Sequence, residues 1–252
     1  MSCHPRLLRS LRPLRMTTVV LELCAATLIL SSTALAQVGH PPQSSPYRDI
    51  RRGHTLTLTA GYFSGDGGDL NIGPHSGSLF GARYDIRTSK TIQLGLGFAT
   101  GTLQRFIVNP FVQLANRKTG PVDQSVTFAE LNLQMNVTGG KSWNRLAPYV
   151  AASGGLAIAH STPADTSGFN FGKKFYFAPA AGLRFFLSQR LHLRAEARAT
   201  FWKLNYPITF QNEPVEQPGT VDNPNAVITG SSLTQWTTSS WLQAGLGYSI
   251  SP

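Results

Sequence analysis

Cysteine and charge are what this 252-residue chain has least of. Its two cysteines, Cys3 and Cys24, both fall near the start. Asp, Glu, Lys and Arg together make up 13% of the residues, about half the share found in an ordinary soluble domain. That leaves too few charges to coat a globule meeting water on every side. Disorder is excluded as well, because it needs high charge with low apolar content, whereas 41% of this chain is hydrophobic. The 24 glycines and the 10% aromatic content do not suit a helical bundle. Beyond residue 36 the chain lacks any run of about 18 apolar residues, which excludes a membrane-spanning helix.

The start of the chain is distinct from the rest. Arg6, Arg9, Arg12 and Arg15 precede the apolar stretch Val19 to Leu30, which is followed by Ser31-Ser32-Thr33 and then Ala34-Leu35-Ala36. A basic segment, a short apolar segment and an A-x-A site together predict a secretory signal over residues 1–36, cleaved before Gln37. Four arginines, Glu22 and both cysteines leave with it. The formal charge of +10 falls to about +7, so part of the basic excess is export information and no nucleic-acid surface is implied. The mature chain has no thiol chemistry and no disulfide. Leu21-Glu22-Leu23 lacks the small residues that a lipid-modified Cys24 would need before it.

Residues 37–53 show no periodicity and predict a flexible lead-in, with the folded unit over 54–252. From there, apolar and small or polar residues alternate with period two. Leu56, Leu58, Ala60 and Tyr62 form one face of a first strand. Phe80, Ala82, Tyr84 and Ile86 mark a second, and Ile92, Leu94, Leu96 and Phe98 a third. The fourth carries Ala129, Leu131, Leu133, Met135 and Val137, and the fifth Val150, Ala152, Leu156 and Ile158. A sixth runs from about Phe175 to Leu187, a seventh has Leu191, Leu193, Ala195, Ala197, Ala199 and Phe201, and the last has Leu242, Ala244, Leu246, Tyr248 and Ile250. Short links at Thr88 to Lys90, Gly139 to Arg145 and Ser188 to Arg190 alternate with long ones at Ser64 to His75, Thr102 to Gln124, His160 to Lys173 and Asn205 to Gln235. The segment 106–114, broken by Asn109-Pro110, falls in the second long loop. Eight strands of about ten residues with short turns at one rim and long loops at the other predict an all-β, eight-stranded antiparallel up-and-down transmembrane β-barrel, its turns periplasmic and its loops extracellular.

Composition decides which face is outside. A soluble barrel would carry Lys and Glu along every strand, yet the positions between the apolar residues are mostly Gly, Ala, Ser, Thr, Asn and Gln, which suit a narrow lumen. The charges on that face, Arg83, Asp85, Arg87, Glu130, Arg184, Arg194, Glu196 and Arg198, are mixed in sign and predict a paired network inside. Tyr62, Tyr149, Trp202, Trp236 and Tyr248, near strand ends, predict aromatic girdles at the two membrane interfaces.

The mature chain resembles the small eight-stranded outer-membrane barrel proteins of Gram-negative bacteria, the group that includes OmpA-type transmembrane domains. The closing stretch from Gln243 through Gly245 and Tyr248 to Ile250 is similar to their C-terminal assembly signal, with Ile250 where Phe is usual and Ser251-Pro252 beyond it. The resemblance implies export to the outer membrane, insertion by a barrel-assembly machinery, and contact with outer-membrane lipids. The basic loop residues Arg117, Lys118, Lys173 and Lys174 either contact lipopolysaccharide or are simply solvated.

Chemistry-bearing constellations are sparse. His75 with Ser76 and Ser78, or His160 with Ser161 and Asp165, provide the residue types of a lipid-hydrolase triad, but no nucleophile motif frames them. Asp66-Gly67-Gly68-Asp69 with Asn71 lacks the spacing and closing Glu of a calcium loop, and His54, His160 and His192 are too dispersed to suggest a metal site. No cofactor is expected. The reading is a barrel with a plugged polar lumen and a structural or surface-interaction role towards an extracellular ligand. A narrow porin-like channel with Arg184, Arg194 and Arg198 as an anion-selective constriction stands as the alternative, and a lipid-modifying enzyme as the third reading.

Overall fold

The computed structural model describes residues 45–50, 53–163 and 165–250; the signal segment and the start of the lead-in lie outside them. Ten strands form one antiparallel sheet. They are β1 (Tyr47–Asp49), β2 (His54–Gly65), β3 (Ser76–Arg87), β4 (Ile92–Val108), β5 (Lys118–Asn136), β6 (Lys141–Trp143), β7 (Leu146–Ala159), β8 (Lys173–Phe186), β9 (Leu191–Asn205) and β10 (Thr234–Ile250). Eight of these close on themselves in the order β2-β3-β4-β5-β7-β8-β9-β10, with β10 pairing back to β2. All eight predicted strands are present, several of them longer than the alternation suggested.

The register sets the size of the barrel. Following Cα partners from Leu183 through Ala195, Ala244, Ala60, Phe80, Thr100, Thr127 and Ile158 returns to β8 at Lys173, ten residues from the start. With eight strands, that stagger tilts each strand by about 40° and leaves an interior that side chains alone can fill.

Two elements differ from the sequence expectation. The lead-in is not structureless throughout: Tyr47, Arg48 and Asp49 pair with Trp143, Ser142 and Lys141. The Arg87 guanidinium donates to the Ile50 carbonyl, and the Ile50 N–H donates to Gly140 O at 2.9 Å. A three-residue pairing is too short to leave a period in the sequence. The second long loop is also much shorter than Thr102 to Gln124, because β4 continues to Val108 and β5 begins at Lys118. Phe106 to Val108 finish β4 and Leu114–Asn116 form a 3-10 turn, so 106–114 adds no barrel strand.

The wall has two storeys. In the lower one, next to the short turns, Leu58, Leu96, Leu131 and Leu246 point outward and are 63%, 60%, 67% and 47% exposed, while Thr57, Gln93, Asn132 and Arg194 point inward and are buried. An exposed apolar belt of this extent exceeds anything a water-facing monomer tolerates and is what a bilayer core requires. In the upper storey the sides exchange. Thr100, Thr102 and Gln104 of β4 and Asp123 and Ser125 of β5 alternate with the buried Leu103, Gln124 and Val126. There the outside is polar and the inside mostly apolar, with Arg105 and Gln124 among the buried polar exceptions, the arrangement of a water-facing barrel.

The exchange needs no break in the strand. It occurs where two apolar residues follow each other: Tyr62-Phe63, Leu79-Phe80, Phe98-Ala99, Phe128-Ala129, Phe201-Trp202 and Trp241-Leu242, with one member outward and the other inward. These doublets mark the level at which lipid gives way to water on the long-loop side.

Candidate functional site

Buried charged side chains converge in the lumen, and its two halves follow from the two storeys. In the lower half, period two on β9 aims Arg194, Glu196 and Arg198 inward one above the other. β3 adds Arg83 and Asp85, and β5 adds Glu130, Asn132 and Gln134, all buried. Glu196 is the hub. One oxygen accepts from Arg194 Nη2 at 2.5 Å and from the Tyr149 hydroxyl at 2.7 Å, and lies 3.5 Å from Arg83 Nη1. The other accepts from Arg198 Nε and from Gln243 Nε2, the latter at 2.7 Å.

Asp85 accepts from Arg83 Nε at 2.8 Å and from Arg194 Nη1 at 3.3 Å. Glu130 accepts from Arg198 Nη1 at 2.7 Å and from the Tyr176 hydroxyl at 2.8 Å. Buried charges persist only when paired and hydrogen-bonded, which this arrangement achieves for three carboxylates and three guanidiniums.

Arg184 is the fourth cation and has no carboxylate. It donates to Gln93 Oε1 at 3.1 Å and Asn136 Oδ1 at 2.5 Å, with the Tyr149 and Phe186 rings 5.9 and 5.8 Å from its guanidinium carbon. Of the eight residues predicted for the network, seven meet in the lumen. Arg87 does not. It stands at the short-turn rim, donating to the carbonyls of Ile50, Ser89 and Lys90, because the inward face of β3 leaves the barrel at its last residue. Gln243, which the sequence placed in the assembly signal, is a lumen residue too. Gly245 lies on the same face, whereas Tyr248 and Ile250 face outward.

Glycine makes room for these side chains. A Cβ on Gly182 would meet the Tyr149 hydroxyl at 2.2 Å, and one on Gly97 would meet Glu130 Oε1 at 2.8 Å. The small lumen-facing residues read from composition are therefore the space into which the large ones fold.

The upper half holds an aromatic layer that the sequence reading did not find. The Trp202 ring lies 5.3 Å from Phe63, 6.2 Å from Phe128 and 5.4 Å from Phe171. Trp241 sits 5.3 Å from Phe128, and its face receives Arg198 at 4.7 Å. Ile72, Phe169, Phe171 and Phe210 reach in from three long loops and are buried with them. This layer corrects two girdle assignments. Trp202 and Tyr149 are each 1% exposed and point into the lumen, whereas Tyr62, Trp236 and Tyr248, at 54%, 59% and 46%, stand on the outer face. Parity explains the error: Trp202 shares a face with Arg198, and Tyr149 lies opposite Val150.

Above the aromatics a buried ion pair fastens a loop to the wall. Arg105 of β4 donates to Asp165 Oδ2 at 2.6 Å, and Asp165 Oδ1 accepts from the Ser167 hydroxyl and N–H at 2.5 and 2.9 Å. Burial alone would raise the Asp165 carboxyl, but the bonds from Ser167 and Arg105 outweigh it and hold the carboxyl below the usual carboxylate value. A carboxyl depressed by folding stabilises the folded form above its unfolded value, and that contribution is lost as pH falls through the lowered one. Acid below the ordinary carboxylate range is therefore expected to release the loop between β7 and β8. Asp165→Ala is expected to do so at neutral pH at a cost of about 1–3 kcal/mol, seen as faster protease cleavage within that loop while the barrel stays intact.

Two of the residues weighed for catalysis are otherwise engaged. Asp165 serves Arg105, and the His75 ring stacks on Phe106 at 5.7 Å with Nδ1 3.1 Å from Gly73 O. Asp66 accepts from the Gly68 N–H at 3.1 Å, a local turn contact. Among the described residues, no three His, Cys, Asp or Glu side chains are grouped to hold a metal. Of the basic loop residues, Arg117 donates to Asn225 O at 2.7 Å and Lys118 lies over the Phe106 ring at 4.4 Å.

Several solved structures resemble the fold, among them three outer-membrane proteins. The chain is 13% identical to the outer membrane protein OprG of Pseudomonas aeruginosa, covering 80% of this chain and 98% of that one with a TM-score of 0.48. It is 12% identical to Neisserial surface protein A, covering 82% and 98% with a TM-score of 0.45. It is 11% identical to the N-terminal β-barrel domain of Pseudomonas aeruginosa OprF, covering 77% and 96% with a TM-score of 0.40. No protein-family model matches the chain, and no curated protein matches it.

Proposed function

We propose that this protein is an integral outer-membrane barrel that conducts nothing and acts through the part of its wall and loops that rises above the bilayer. The observation that carries the reading is a lumen filled in both storeys. The gap beside Arg83, Glu130, Arg198 and Trp241 measures about 10 Å³, no more than the space one water needs, and the aromatic layer closes the section above it. The apolar belt supports a bilayer location, and the secretory signal read from residues 1–36 supports export to an outer membrane.

Catalysis is not part of the reading, since His75 and Asp165 are committed to structural contacts. The polar outer face of the upper storey and the loops from β7 to β8 and from β9 to β10 form the surface presented to an extracellular ligand or to lipopolysaccharide, with Lys173 as an exposed cation on it. Planar-bilayer recording tests the plug. The purified protein is expected to give no steady conductance. A steady current that changes in Arg198→Ala would replace this reading with that of a narrow channel.

A further inference from the structure

On the lipid-facing wall a groove of about 460 Å³ opens between Tyr84, Ile86, Leu94, Leu96, Leu131, Leu133 and Ala152. It exists because β7 presents Ala152 and Gly154 outward beside the long side chains of β4 and β5; even a Cβ on Gly154 would meet nothing closer than 3.7 Å. Directly beyond its short-turn end, two turns abut. A Cβ on Gly140 would lie 2.8 Å from Arg87 Nη2 and 3.3 Å from Lys90 Cβ, and Lys141 follows Gly140. Lys90 and Lys141 are both exposed, and so is Trp143 beside them at 47%.

The charge around this end is one-sided. Among the described residues the short-turn rim carries Arg48, Arg87, Lys90, Lys141, Arg145 and Arg190 against one carboxylate, Asp49. On the opposite rim, Asp66, Asp69, Asp123, Glu213, Glu216 and Asp222 offset the lysines and arginines. Six cations against one carboxylate leave a net of +5 where the barrel meets the inner leaflet's headgroups.

From this geometry we infer that the groove and the paired turns form a binding site for an anionic diacyl glycerophospholipid of the inner leaflet. One acyl chain lies along Leu94, Leu96, Leu131, Leu133 and Ala152, and the phosphate sits over Lys90 and Lys141. The groove accounts for an apolar chain and the lysines for an anionic head, so each half of the ligand is specified by a separate feature. The inference rests on the membrane reading of the barrel. A protein that stayed folded and dispersed in buffer without detergent would reject that reading before any lipid is added.

Native mass spectrometry of the micelle-purified protein with phosphatidylglycerol or phosphatidylcholine tests the site. Two lysines at about fivefold each predict a preference for phosphatidylglycerol on the order of tenfold or more. K90Q/K141Q is expected to remove the preference while both lipids are still retained. Ala152→Trp, which fills the groove from outside the lumen, is expected to reduce retention of both. Soluble glycerol phosphate is expected not to compete; full competition by it would mean a free-phosphate site and overturn the inference. Equal retention of the two lipids, a preference unchanged in K90Q/K141Q, or retention unchanged in Ala152→Trp would each overturn it as well.

Discussion

Glu196→Gln is expected to lower the unfolding free energy of the barrel by about 3–5 kcal/mol, the cost of removing one partner from a buried ion network. The substitution keeps the shape and one carbonyl acceptor but strips the charge facing Arg83, Arg194 and Arg198. Two carboxylates then face four buried guanidiniums in an interior where charge is poorly screened. Urea titration of the protein refolded into lipid vesicles, followed by the gel shift between heated and unheated samples, reads the loss. Adding Arg194→Gln to the first change is expected to recover part of the stability, since it removes one of the three cations that lost Glu196. A loss within 0.5 kcal/mol for Glu196→Gln, of the size seen at uncoupled surface sites, would mean that the network does not hold the lumen together.

Trp202→Ala is expected to cost a similar amount, about 3–5 kcal/mol, through a different cause. The indole is 1% exposed and packs between rings from β2, β5 and the loop that follows β7. Its removal leaves a cavity whose walls are strands held in a closed circle, so little collapse can fill it. Trp202→Phe retains most of the contact and is expected to lose less. Trp236→Ala provides the comparison: that ring lies on the outer face, 6.2 Å from Phe177, and its loss exposes no interior. If Trp202→Ala and Trp236→Ala were equally mild in the same urea titration, Trp202 would be an interface residue and the aromatic layer would not carry the upper storey.

The contrast between these two tryptophans shows what the sequence could convey. Alternation over nine or more residues is a strong signal, so the lower wall, its outward leucines and its inward Arg and Glu were legible from β2 to β10. Proximity to a strand end is a weak signal, because it ignores parity. Trp202 and Tyr149 were placed at the membrane interfaces by position, while their place in the alternation had already put them on the Arg198 side of the wall.

The upper storey was missed for a related reason. A pattern sought as apolar-out ends where the doublets fall, so Leu103 and Gln124 read as loop although the strands run on through them. Counting on through Phe98-Ala99 and Phe128-Ala129 with the faces exchanged recovers β4 and β5 almost to their ends. The Arg105–Asp165 pair joins residues 60 apart through a loop of irregular backbone, and no local period records such a meeting. Arg87 shows the opposite limit: its parity was right, but the barrel ends before its side chain reaches the lumen.

Thiol labelling along β4 tests the central claim of a wall that changes sides at a fixed level. Both natural cysteines lie within residues 1–36, so the chain from Gln37 onward offers a cysteine-free background. Single cysteines at Leu94, Leu96, Phe98, Thr100, Thr102 and Gln104, all on the outward face, would be exposed to a membrane-impermeant maleimide with the protein folded in vesicles. The account predicts protection at 94, 96 and 98 and rapid labelling at 100, 102 and 104, with the step at the Phe98-Ala99 doublet. Uniform labelling along all six positions, or protection that continued through 104, would contradict it.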